Sequence, residues 1–173
     1  QFGTGLFAWL ALVPLFYALR GKTVTQGAVA GFFCGILFHV GLIYWIAYVT
    51  VVYGNLNYAA GILLTLLLSA YMSLYFALFA AGLIHFQNRS IPLIVSAPIL
   101  WVVLEFIKSN LWTGFPWENL GHSQYLNLPL IQIADITGGY GISFLIVLGN
   151  VMAYELMALR REKRIRVAVE LAL

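Results

Sequence analysis

The chain has 173 residues, 62% of them hydrophobic and only 9% charged, with a mean hydropathy of +0.93 and a formal net charge of +3. Soluble domains carry roughly a quarter of their residues as charges, so this composition excludes a water-facing globule and makes lipid the solvent. A single cysteine, Cys34, excludes an intramolecular disulfide framework and a cysteine-rich metal site.

A helix crosses the hydrocarbon core with about 20 apolar residues. Continuous apolar runs occupy residues 2–19, 27–52, 58–86, 91–111 and 136–159, and a sixth, 165–173, is truncated. They do not alternate with period two, which argues for helices over strands. The expected fold is therefore all-α, a polytopic transmembrane helix bundle of about five complete spans plus a truncated sixth, in one membrane-spanning domain, 1–173. The chain opens at Gln1 without an initiator methionine or a signal-peptide n-region, and it stops inside the sixth run. It reads as a piece of a longer protein.

Charges between the runs give an orientation. Arg20 and Lys22 follow the first run, Arg89 the third, and five cations crowd residues 160–166 after the fifth, against Lys108 alone on the other side. By the positive-inside rule those three loops are cytoplasmic, which places 53–57 and 112–132 outside. The basic run is thus a topology signal, and no nucleic-acid partner is expected. Trp9, Tyr44, Trp45, Tyr48, Tyr53, Tyr58, Trp112, Trp117 and Tyr125 all fall in the outer half of this arrangement. Amphipathic rings anchor at membrane interfaces.

Gly27, Gly31 and Gly35 recur every four residues and share one helix face, where small side chains let a second backbone approach. Cys34 has no nearby cation to make a thiolate and reads as a small filler. His39 reads as a hydrogen-bonded packing residue within its span. His39, His85 and His122 are scattered, so no metal and no cofactor are expected.

Glu105, in LWVVLEFIKSNLW, is an intramembrane carboxylate, costly and by default a pointer to function. Lys108 is three residues on and within reach as an ion-pair partner. Two readings stand: a structural ion pair or hydrogen bond, or a part in lipid or substrate handling. Asp135, ahead of Gly138, Gly139 and Gly141, reads as the N-terminal cap of a loosened helix start. A triad of His122, Ser123 and Asp135 is disfavoured, because adjacent loop side chains rarely face each other and no nucleophile-elbow pattern surrounds Ser123.

The segment TGFPWENLGHSQ is the polar interruption. Pro116 forbids a continuous helix, while Gly114 and Gly121 permit turns. Trp112, Phe115 and Trp117 would lie along the membrane surface, with Asn119, Ser123 and Gln124 supplying neutral hydrogen bonds. The lipid- and substrate-entrance candidates are therefore Glu105, Trp112, Gly114, Phe115, Pro116, Trp117 and Gln124.

That segment, preceded by PILWVVLEFIKSNLW and followed by PLIQIADITGGYGISFLIVLGN, resembles the bacterial apolipoprotein N-acyltransferases. The earlier FAWLALVPLFYALRGK and GLIYWIAYV are similar to that family's second and third spans. The resemblance implies a multi-pass enzyme of the bacterial inner membrane. Its partners are a phospholipid acyl donor and a diacylated lipoprotein, whose N-terminal diacylglyceryl-cysteine receives the acyl chain through a cysteine thioester. It also implies that the catalytic Cys, Glu and Lys belong to an extracytoplasmic nitrilase-like domain after the seventh span. No catalytic residue of this chain matches them. Cys34 lies in a membrane helix, so the chain by itself is expected to be inactive. Glu118 stands where that family commonly has a hydrophobic residue and His122 where it commonly has tyrosine; neither is assigned a role. The rivals are a transporter or channel, weakened by the lack of a repeated broken-helix pair, and a non-catalytic membrane scaffold.

Overall fold

The computed structural model describes residues 5–111 and 114–170, and of 161–170 the backbone alone. All regular structure among the described residues is helical. Among the described residues, four helices are long and apolar enough to cross a membrane: Val24–Ile43, Tyr58–Asn88, Leu93–Asn110 and Ala134–Arg160. The chain divides into two compact units, Leu19–Ser90 and Gln1–Ala18 with Ile91–Leu173.

After the short α1 (Val13–Leu19), the first of these units holds α2 (Val24–Ile43), α3 (Trp45–Val52) and α4 (Tyr58–Asn88). A capping box starts α2 three residues ahead of the apolar run. The Thr23 hydroxyl accepts the Gln26 N–H at 3.3 Å, and the Gln26 side chain accepts the Thr23 N–H at 3.1 Å. Asn57 caps α4 by accepting the Ala60 N–H at 2.8 Å.

Gly27, Gly31 and Gly35 are all buried, along the face of α2 turned to α4. A methyl on Gly31 would fall 2.7 Å from the Ala80 Cβ, and one on Gly35 would fall 2.9 Å from that of Ser73. Backbones this close leave room for hydrogen alone. His39, 1% exposed, continues the seam: its Nδ1 lies 2.7 Å from the Gly35 carbonyl and 3.3 Å from the Ser73 hydroxyl.

The second unit holds a 3-10 turn, Leu6–Trp9, then α1, α5 (Leu93–Asn110), 3-10 turns Pro116–Glu118 and Leu120–Gln124, α6 (Leu128–Ile131) and α7 (Ala134–Glu170). Here α5 packs along α7, and the Phe16 and Tyr17 rings meet Tyr154 edge-on at 5.6 and 4.9 Å.

Two stretches differ from the sequence expectation. Of residues 2–19, read as one span, 2–4 lie outside the described residues. The part from Gly5 on forms the 3-10 turn and then a seven-residue helix, because Pro14 in the first turn of α1 lacks the N–H to continue a helix from residue 10. Asn150 of α7, wholly buried, bridges the gap between them. Its Oδ1 accepts the Leu12 N–H at 2.8 Å, and its Nδ2 donates to the Ala8 carbonyl at 2.8 Å. Second, α7 runs on through 160–166, read as a loop between spans. The stretch has no glycine or proline and is rich in helix formers. The helix therefore includes residues 165–170 of the expected sixth span, while 171–173 lie outside the described residues.

Candidate functional site

The polar cluster is built on one face of α5. Glu105, Lys108 and Ser109 stand at positions i, i+3 and i+4, so they point the same way. After Asn110 the chain doubles back. Gly114, at φ +68°, donates to the Leu111 carbonyl at 2.9 Å, and Phe115 N–H reaches the Lys108 carbonyl at 3.0 Å. A Cβ on Gly114 would run into the Ser109 carbonyl, so both conformation and space require glycine.

The returning strand of chain then meets the three α5 residues with three consecutive residues of its own. Lys108 Nζ lies 3.2 Å from Glu118 Oε1, in a pair whose side chains are 9% and 3% exposed. Asn119 Nδ2 donates to the Ser109 hydroxyl at 3.1 Å. The Leu120 N–H donates to Glu105 Oε1 at 2.6 Å, and Trp101 Nε1 donates to the same oxygen at 2.9 Å. Glu105 is 4% exposed, and its Oε2 meets no hydrogen-bond donor among the described residues. The expected Glu105–Lys108 pair is therefore replaced: the lysine takes Glu118, and Glu105 takes a backbone N–H and an indole.

The far half of the segment is tied elsewhere in the same unit. Gly121 N–H donates to the Ser143 hydroxyl of α7 at 2.8 Å, and a side chain on Gly121 would collide with the Gly139 carbonyl. Gln124, 2% exposed, accepts from Trp9 Nε1 at 3.3 Å and donates to the Gly5 carbonyl at 2.9 Å. The Ser123 hydroxyl gives its proton to the Leu120 carbonyl at 2.7 Å and accepts from Gln124. His122 and Asp135 are both exposed, and the Ser123 hydroxyl braces the turn through Leu120 and Gln124. Asp135 sits in the first turn of α7, which Gly138 breaks at φ 64° and ψ −174°.

Outside this polar lining the segment is apolar. The Phe115 and Trp117 rings stack at 6.2 Å and 22°, with Trp117 70% exposed, and Pro116 opens the turn between them. Tyr125, Leu126, Leu128 and Ile136 are exposed as well. A groove of about 440 Å³ lies between α5 and α7, lined by Val102, Ile133, Tyr140 and Phe144. Of the expected entrance residues, Glu105 lies on α5, and Gly114, Phe115, Pro116, Trp117 and Gln124 lie on the segment that folds back beside it. Trp112 lies outside the described residues.

Sequence reasoning assigned no role to Glu118, and did not single out Ser143 or Asn150. A buried lysine ten residues from a glutamate was the signal for Glu118. The other two bond across 22 and 138 residues and left no local mark.

The family model described as "Apolipoprotein N-acyltransferase N-terminal domain" matches residues 1–152. The apolipoprotein N-acyltransferase of Geobacter metallireducens is 42% identical over 155 residues, covering 90% of this chain and 30% of that protein. Those of Nitrosomonas europaea and Photobacterium profundum are 35% and 33% identical, over 80% and 83% of this chain and 28% of each relative. The chain thus spans less than a third of the length of these curated relatives. With four membrane-length helices and a family match over most of its length, this multi-pass membrane protein belongs to the apolipoprotein N-acyltransferase family through that family's N-terminal domain.

Proposed function

We propose that this chain is the membrane part of an enzyme that moves an acyl chain from a phospholipid to the N-terminal diacylglyceryl-cysteine of lipoproteins in the bacterial inner membrane. The thiol, base and oxyanion-stabilising lysine of that reaction belong to a nitrilase-like domain beyond this chain. What these residues contribute is a place for lipid. Residues 112–132 lie on the extracytoplasmic side, and their exposed aromatic surface forms part of the floor and entrance under the catalytic domain.

The observation that carries this reading is the folded-back segment of a family member. Its polar groups are spent on α5, α7 and the 3-10 turn at Leu6–Trp9, which leaves Trp117 and Tyr125 turned outward, with Phe115 stacked half-buried against Trp117. Amphipathic rings held over a membrane-spanning helix suit the headgroup region. The test is reconstitution of the full-length protein in vesicles with a phospholipid donor and a synthetic diacylated lipopeptide bearing a free N-terminal cysteine. Appearance of the triacylated peptide supports the reading, and a folded full-length protein that makes none contradicts it.

A further inference from the structure

The Glu105, Lys108 and Ser109 face and the consecutive residues Glu118, Asn119 and Leu120 form a three-rung ladder between the end of α5 and the returning chain. Its energetics are unusual. Two carboxylates and one ammonium are enclosed together, and Glu105 Oε2 has no hydrogen-bond donor among the described residues. Burying an acidic group in this way is costly, and a neutral hydrogen-bonding side chain would make the same contacts to Leu120 and Trp101. What the charged set adds is register. A carboxylate that accepts a specific backbone N–H and a lysine that takes the carboxylate two residues earlier leave the returning chain one alignment along α5.

That alignment fixes the aromatic pair. Phe115 is anchored by its own N–H on the Lys108 carbonyl, and Trp117 immediately precedes the Glu118 rung, so the stacked rings hang between two fixed points. We propose that Glu105, Lys108 and Ser109 are positioning residues, which act through the returning chain to hold the Phe115–Trp117 pair where a phospholipid acyl chain meets the protein. The inference rests on the proposed acyl-transfer function and names the device that organises its lipid surface.

The test uses the full-length protein in vesicles of phosphatidylethanolamine and phosphatidylglycerol. Lys108→Glu and Glu118→Lys are made singly and together, beside Glu105→Gln and Glu105→Ala. Hydrogen exchange of residues 114–121 reads the ladder, and acyl transfer at varied phospholipid reads its consequence. Each single reversal and Glu105→Ala speed exchange of the Leu120 and Phe115 amides. The double reversal and Glu105→Gln return it towards the wild-type rate. The singles raise the KM for phospholipid on the order of tenfold and leave kcat within about threefold, the signature of lost binding shared by ground and transition states.

Two results would overturn the proposal: exchange unchanged in Glu105→Ala, or exchange quickened in the singles while KM stays at its wild-type value. A double reversal that folds yet restores neither readout counts against it as well. If the wild-type protein transfers no acyl chain, it is the functional reading that fails, a result separate from any of these.

Discussion

Replacing Asn150 by leucine keeps the volume of the side chain and removes its hydrogen bonds. In the structure this one amide serves two backbone groups where no helix ladder runs, the Leu12 N–H and the Ala8 carbonyl, each at 2.8 Å. Both become orphans in Asn150→Leu, at a residue 0% exposed. A buried backbone group left unpaired costs about 1–3 kcal/mol. Side-chain hydrogen bonds in membrane proteins average only about 0.6 kcal/mol, because the unfolded chain in lipid also finds partners. The orphaned groups here are backbone groups between two helical segments, where lipid offers no substitute, so the larger figure applies. Two such groups give about 2–6 kcal/mol. The assay is hydrogen exchange of the Leu12 to Phe16 amides in detergent, with their opening free energy compared between wild type and variant. A loss of under about 0.6 kcal/mol would refute the reasoning, since it would mean that these groups pair elsewhere.

Three further outcomes follow from the same geometry. Gly31→Val drives a branched side chain into Ala80 and the Phe76 carbonyl, so α2 and α4 separate at a cost of about 1–3 kcal/mol or more, read as a lowered thermal midpoint. Gly149→Ala places a methyl 2.6 Å from the Trp9 ring; Trp9 must turn, its bond to Gln124 breaks, and tryptophan emission changes with little loss of helix by circular dichroism. Lys108→Met leaves Glu118 enclosed without its ammonium and costs about 3–5 kcal/mol, whereas Glu118→Gln costs less because its amide oxygen still accepts from the Lys108 ammonium. Denaturant titration of the two variants side by side checks that order.

The helical class could be read from the sequence because lipid leaves few alternatives: continuous apolar runs must satisfy their own backbone, and helices do so locally. The break at Pro116 and the turn that Gly114 permits were equally legible, since their physics lies in the residues themselves, whereas the close approach of Gly121 to the Gly139 carbonyl was not. The span ends were less so. Thr23 and Gln26 start α2 ahead of its apolar run through a cap that hydropathy does not register, and the basic residues after Arg160 extend α7 where charge alone indicated a loop. Pairing of the buried charges was the least visible. Helix spacing offered Lys108 to Glu105, but the fold brings Glu118 and the Leu120 N–H onto the same face, and a returning chain outcompetes a neighbour three residues away. Asn150, the residue that joins two segments 138 positions apart, gave no local sign at all.

The central claim is that the exposed aromatic surface of the returning segment handles lipid. Gln124 is a poor place to test it, because that side chain holds Gly5 and Trp9 and its loss would unfold the segment. Trp117 is the right place, at 70% exposure and stacked on Phe115. The decisive measurement is acyl transfer from phospholipid to a diacylated lipopeptide by the full-length Trp117→Ala protein in vesicles, at matched protein level and thermal midpoint. The account predicts transfer reduced on the order of tenfold, about what losing one buried aromatic contact of 1.4 kcal/mol gives. Transfer at the wild-type rate would contradict it.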